Sequence, residues 1–334
     1  MRPDSNFDVS DTVSETAPRK TSRLSSRMDK RERGDSMVSD DIETGGVMST
    51  QSSTRPVAVV TGASRGIGRA IAISLAASGH DLVLMGRTRA HDEARNPATG
   101  NVLPGDLDST ADSVRAHGAR AHIVTADILE LDDVVPSFSR CVAAVGRVDV
   151  LVNNAVYVGG GNDRRFAENS IDDIVRRVNG NLTAPLLLTH AFLRHVLERN
   201  DGSTVTIIDI TSDAGQRTPE HVAGRGGWSL SYAATKAGFH RIADMIALEY
   251  GADGVRALNV NPGLVATERV LDSGSSLEWI ARHGVRPDVI GTAVAFLLTD
   301  PDVPNGAYVH AQAYLRERLG DEKYGELTNR GTGS

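Results

Sequence analysis

The chain has 334 residues, a formal net charge of −7 and no Lys/Arg block, a balance that argues against nucleic acid as its main partner. No apolar run is long enough to span a membrane or to form a signal peptide, and Asp4, Asp8, Asp11 and Glu15 argue against an acid-poor mitochondrial presequence. Cys141 is the only cysteine and none of the ten histidines falls in a metal-ligand spacing, so the reading is a cytoplasmic protein with no intrachain disulfide and no metal centre.

Residues 1–54 are mostly Ser, Thr, Asp, Arg and Lys without a sustained period of 2 or 3.6, and too few apolar side chains are present to offset the entropy of ordering them. This stretch reads as a disordered N-terminal extension; Met48, just before the first strand, leaves open a later start. One α/β domain is expected over 55–320, and a frayed C-terminus over 321–334.

The run 56–61 is β-branched without alternation, as in a parallel strand buried on both faces. Gly62, Ala63, Ser64, Arg65, Gly66, Ile67 and Gly68 follow, then a helical pattern that stops at Gly79. Strand, glycine turn and helix together aim backbone N–H groups and a helix N-terminus at a pyrophosphate. The spacing Thr61-Gly62-x-x-x-Gly66-x-Gly68 resembles the short-chain dehydrogenase/reductase family in its single-domain branch. Asn153-Asn154-Ala155, Ser212, Tyr232-x-x-x-Lys236 and Pro262-Gly263-x-x-x-Thr267 continue that likeness in order, over roughly 55–309. The resemblance implies a doubly wound Rossmann fold of about seven parallel strands with helices on both faces. It also implies a dinucleotide held by Thr61, Gly62, Ser64, Arg65, Gly66, Ile67 and Gly68.

The second strand, 82–85, ends in Gly86 and Arg87 where an NAD site usually presents an acid to the ribose. Arg65 adds a second cation, and two guanidinium groups suit a 2′-phosphate, so NADP(H) is expected over NAD(H). Residues 88–108 read as a long cofactor-side loop, followed by a helix to Ala116 and a strand at 121–124. Asp127, with Ile128 after it, matches the family position at the adenine ring, although an Asp there would equally cap the next helix. The fourth strand, 148–152, leads into Asn154, which lines the cofactor pocket in the family; Val156 replaces the usual glycine and leaves the loop beyond it undetermined. Gly159, Gly160, Gly161, Arg164 and Arg165 fit a substrate mouth or a plain flexible loop.

A helix is expected over 171–199, with Asn179 and Asn181 as candidate asparagines; the family match selects Asn181. The fifth strand closes at Ser212, which the resemblance assigns to the reacting oxygen. Twenty residues separate Ser212 from Tyr232, more than is common in the family, so 213–230, with Arg217, His221 and Trp228, is an insertion bordering the site. On the next helix Tyr232 and Lys236 share a face. A cation about 5 Å from a phenol, at an effective dielectric of about 20, favours the phenolate by roughly 3 kcal/mol, or about two pKa units. A sixth strand over 256–260 leads to Pro262, Gly263, Val265 and Thr267, which in the family hold the nicotinamide carboxamide. Residues 268–286 are expected as a flap, 287–298 as a helix and 306–309 as the last strand.

The implied reaction is hydride transfer between a carbonyl and a secondary alcohol on a small or medium-sized organic substrate. Tyr232 would be the acid, Ser212 the oxyanion partner, Lys236 the group that lowers the phenol pKa and holds the ribose, and Asn181 the anchor of a proton-relaying water. A non-catalytic NADP(H) sensor and a dehydratase or epimerase on the same scaffold are the alternatives. The family usage also suggests a homodimer or homotetramer through helices 181–199 and 232–250.

Overall fold

The first strand, β1 (Val57–Thr61), is buried along its whole length, with Val57 and Val59 in one core and Ala58 and Val60 in another. A strand with an apolar layer on each side needs no polar face, which is why its sequence does not alternate. The computed structural model describes residues 55–90, 94–96 and 99–329; the extension expected over 1–54 lies outside them. After β1 come α1 (Gly66–Ala77), β2 (Asp81–Gly86), α2 (Leu107–Ala116), β3 (Ala121–Thr125), α3 (Leu131–Val145) and β4 (Val150–Asn153). The second half runs α4 (Ile171–Val178), α5 (Ala184–Arg199), β5 (Val205–Ile210), α6 (Leu230–Tyr250), β6 (Val255–Asn261), α7 (Glu268–Leu271) and α8 (Glu278–His283). It closes with α9 (Pro287–Thr299), β7 (Tyr308–His310), α10 (Ala311–Leu319) and α11 (Asp321–Thr328).

All pairings are parallel, in the order β3-β2-β1-β4-β5-β6-β7. Ile71 and Leu75 of α1, Leu107 of α2, Val294 of α9 and Leu315 of α10 cover one face; Phe138 of α3, Phe192 of α5 and Ala243 of α6 cover the other. The strand order reverses between β1 and β4, and their carboxyl ends open a crevice there, the place where such sheets bind ligands. Cys141 is buried in the second core, and burial pushes its thiol up to about 12, so it stays a packing residue. Among the described residues no helix is long and apolar enough to cross a membrane.

Two expectations change. The helix expected over 171–199 is interrupted by a π-helical turn at Asn179–Thr183. Pro185 lacks the N–H that Asn181 O would receive in a regular helix, and the chain widens there rather than leave the ladder regular. The C-terminus expected to fray from 321 instead forms α11, because its Tyr324 and Leu327 pack against the first core.

Candidate active site

The glycine turn is built by close approach. A Cβ on Gly68 would lie 2.3 Å from Gly62 O and 2.4 Å from Asn154 Nδ2, and Gly62 itself sits at φ 67°. Thr61 Oγ1 accepts the backbone N–H groups of Asn154 (2.9 Å) and Ala155 (3.0 Å), while Asn154 Nδ2 donates to Thr61 O at 2.8 Å. These bonds clamp the ends of β1 and β4 together and leave the start of α1 facing the crevice. Its N-cap, Arg65, supplies no side-chain cap and its first turn carries no acid, so free helix N–H groups point at an anion site.

The crevice is a cleft of about 680 Å³. Thr61, Gly62, Ser64, Arg65, Gly66, Ile67, Gly68, Arg87, Asp127, Ile128, Asn154 and Thr267 line it; Tyr232, Lys236, Pro262, Gly263 and Val265, also expected at the cofactor, do not. A dinucleotide fits the donors present. Glu268 opposes an anion there: its Oε2 is buried without a partner and would lie 3.6 Å from a Cβ on Gly66, with Arg65 as the counter-charge. Val265 O accepts Thr267 N, and Thr267 Oγ1 caps α7 at Val270 N (3.5 Å), so that turn holds its own backbone.

The two cations expected at the ribose both reach the cleft and both have neighbours. Arg65 donates to Pro104 O (3.2 Å) and Gly105 O (2.6 Å), and Arg87 Nη1 lies 3.5 Å from Asp127 Oδ2. Asp127 Oδ1 also accepts Leu129 N at 3.0 Å in the turn before α3; the N-cap of α3 is Glu130, without a side-chain cap, so Asp127 does not cap that helix. The cofactor-side loop reaches across to the flap. Asn96 Nδ2 (2.8 Å), Thr99 Oγ1 (2.5 Å) and Asn101 Nδ2 (2.7 Å) all donate to the Asp272 carboxylate, holding it below its ordinary pKa.

Ser212 lies two residues beyond β5 and Tyr232 in the first turn of α6, which Ser229 caps at Tyr232 N. Gly215 lets the turn after Ser212 press on α6, since a Cβ there would lie 2.6 Å from Lys236 O. Ser212 is the polar side chain that acts on the Tyr232 phenol. Burial pushes that phenol above its ordinary pKa, against Ser212 and the charge of Arg269, which also lines the cleft. Lys236, expected to act on Tyr232, makes its hydrogen bond elsewhere. Lys236 Nζ donates to Ile210 O at 2.8 Å and lies 4.7 Å from the Phe239 ring centroid, and burial lowers its pKa against the charge of Asp209. A helix periodicity fixes where the Lys236 Cα sits but not where four methylenes carry the ammonium.

Asn181, inside the π turn and 3 % exposed, accepts Tyr157 N (2.7 Å) and donates to Tyr157 O (3.0 Å). Its amide therefore braces the loop beyond Val156. Arg177 braces the same loop, and sequence reading missed it. Fully buried, it donates to Val158 O (3.0 Å), Gly160 O (2.6 Å) and Ser231 Oγ (2.6 Å), tying the loop to the start of α6. The loop 157–166 and the insertion 213–230 meet: Ser229 Oγ donates to Asn162 Oδ1 at 3.0 Å, and Arg164, Phe166, His221, Trp228 and Leu230 line a shallow groove between them.

A family model described as short chain dehydrogenase matches residues 56–276. A 3-oxoacyl-[acyl-carrier-protein] reductase of Synechocystis sp. is 33% identical over 78% of this chain and 95% of its own length. A 2-dehydro-3-deoxy-D-gluconate 5-dehydrogenase of Escherichia coli is 27% identical over the same shares. Among solved structures, a carveol dehydrogenase from Mycobacterium avium in complex with NAD superposes with a TM-score of 0.64 at 23% identity, covering 78% of this chain and 97% of that one; it supports the fold.

Proposed function

We propose that this chain, which belongs to the short-chain dehydrogenase family, transfers hydride between NADP(H) and a carbonyl/secondary-alcohol pair on a small or medium-sized organic molecule. The observation that carries the reading is a buried Tyr232 phenol with Ser212 and Arg269 as its polar neighbours at the carboxyl edge of the sheet, the latter lining a cleft whose helix N-terminus is open to an anion. The dinucleotide, when bound, supplies or accepts the hydride. In reduction Tyr232, kept protonated by burial, gives its proton to the developing alkoxide, and Ser212 donates to the same oxygen. Arg269 favours the phenolate left behind. Lys236 holds the end of β5 through Ile210 O, from the helix that carries Tyr232.

Arg65 and Arg87 in the cleft, and the lack of an acid at the end of β2, support the phosphorylated cofactor. The Michaelis constant for NADPH should be at least tenfold below that for NADH, and Arg87→Gln should narrow the gap; a clear preference for NADH overturns the assignment. The groove combines Phe166 and Trp228 with Arg164 and His221, and a panel of ring, lipid and polyketide ketones would sort the substrate class by rate of NADPH loss. Exposed Leu186 and Leu197 on α5 and Met245 and Leu248 on α6 support assembly as a homodimer or homotetramer. The single buried thiol suits a cytoplasmic setting.

A further inference from the structure

Behind the Ser212–Tyr232 pair lies a buried polar row that the reaction as described leaves unused. Asn153, Asp209 and Asn259 are register partners on β4, β5 and β6, each 2 % exposed or less. Neighbours in register share a face of the sheet, here the one covered by α5 and α6. Asn153 Nδ2 donates to Asp209 Oδ1 (2.9 Å) and to Thr189 Oγ1 of α5 (3.1 Å), and Asn259 Nδ2 donates to His240 O of α6 (2.8 Å). Three oxygens remain without a donor among the described residues: Asn153 Oδ1, Asp209 Oδ2 and Asn259 Oδ1. A fully buried carboxylate lacking half its hydrogen bonds is costly unless a positive charge faces it. One does. Lys236 is 6 % exposed, and its ammonium is held by the carbonyl of Ile210, the residue next to Asp209 on β5.

We infer that Asp209 is a positioning residue for Lys236: it is the buried counter-charge that keeps the ammonium protonated and seated on β5, one helical turn from Tyr232. The inference rests on the hydride-transfer reading for its kinetic arm only. Among the described residues no other charged group is set against the pair: the electrostatic neighbour of Asp209 is Lys236 and that of Lys236 is Asp209. Facing them from β4, β6 and α5 are only the amides and hydroxyl already named. Along α6 lie Tyr232, whose charged neighbour is Arg269 of α7, and His240, which offers its carbonyl. Burial pushes the carboxyl up and the ammonium down, while each charge pulls the other back toward its ordinary value.

Asp209→Asn separates this role from a merely structural one. An amide at 209 can still accept from Asn153 Nδ2 and brings N–H donors to the orphaned oxygens beside it, so the variant should melt at the native temperature or above. A carboxylate near an ammonium raises the pKa of that ammonium, so its removal lowers it. The alkaline limb of kcat/KM should therefore move down by ~1–2 pH units, with the cofactor Kd within about twofold of native. An unmoved pH profile, or activity lost equally at every pH together with a lower melting temperature, overturns the inference. The Lys236 Nζ resonance of ¹⁵N-lysine-labelled protein gives a readout that needs no turnover. It should titrate lower in the variant than in the native chain, and identical titrations overturn the inference. Native protein inactive on every carbonyl would count against the oxidoreductase reading, and this resonance would still decide the role of Asp209.

Discussion

Tyr232→Phe should lower turnover by roughly 10³-fold, the usual contribution of a positioned general acid, while leaving the dissociation constant for NADPH within a few-fold. The phenol is the group on which Ser212 and Arg269 act, and its ring is held by the first turn of α6, which Ser229 caps. Phenylalanine keeps the ring and the packing and removes only the proton donor. The dinucleotide cleft is lined by other elements, so affinity for the cofactor has no reason to fall. Stopped-flow turnover and a fluorescence titration on the same preparation check both halves. Native-like turnover would mean that another group delivers the proton; a large loss of affinity would mean that Tyr232 acts mainly in binding.

Gly68→Ala should weaken NADPH binding by ~100-fold and lower the melting temperature. The added Cβ would meet Gly62 O at 2.3 Å and Asn154 Nδ2 at 2.4 Å, distances that no rotamer can relieve because one is backbone and the other is fixed by its bond to Thr61 O. Overpacking of this kind costs about 1–3 kcal/mol, and here the strain falls on the turn that presents the helix N-terminus. Gly325→Ala in α11, where nothing lies within 4 Å of the added carbon, is the matched control and should leave affinity unchanged. Equal affinities for both variants would show that the glycine turn is not the pyrophosphate seat.

Much of this arrangement was legible in the chain because local chemistry dictates it. Short β-branched runs ended at residues that had to face the crevice, and the glycine spacing matched a strand–turn–helix unit that the structure contains. What stayed hidden depends on distant partners. Arg177 reads as one more surface arginine of an amphipathic helix until Ser231, 54 positions on, and the carbonyls of Val158 and Gly160 enclose it. The π turn needed the joint effect of Pro185 and the Tyr157 backbone on Asn181. Asp209 did leave a trace, an acid inside the apolar run Ile207-Ile208-Asp209-Ile210, but only the register shows which amides and which helix face it. Lys236 could be placed on the helix that carries Tyr232, but nothing local in the chain shows that its ammonium bonds the Ile210 carbonyl.

Hydride transfer is the claim that everything else serves, and isotope labelling reads it directly. NADPH carrying deuterium at the transferable position, incubated with the protein and a ketone that it consumes, should yield an alcohol with one deuterium on the former carbonyl carbon and an equal amount of NADP⁺. Product formed without deuterium, or substrate converted while NADPH is unchanged, would contradict the account and point to dehydratase or epimerase chemistry on this scaffold.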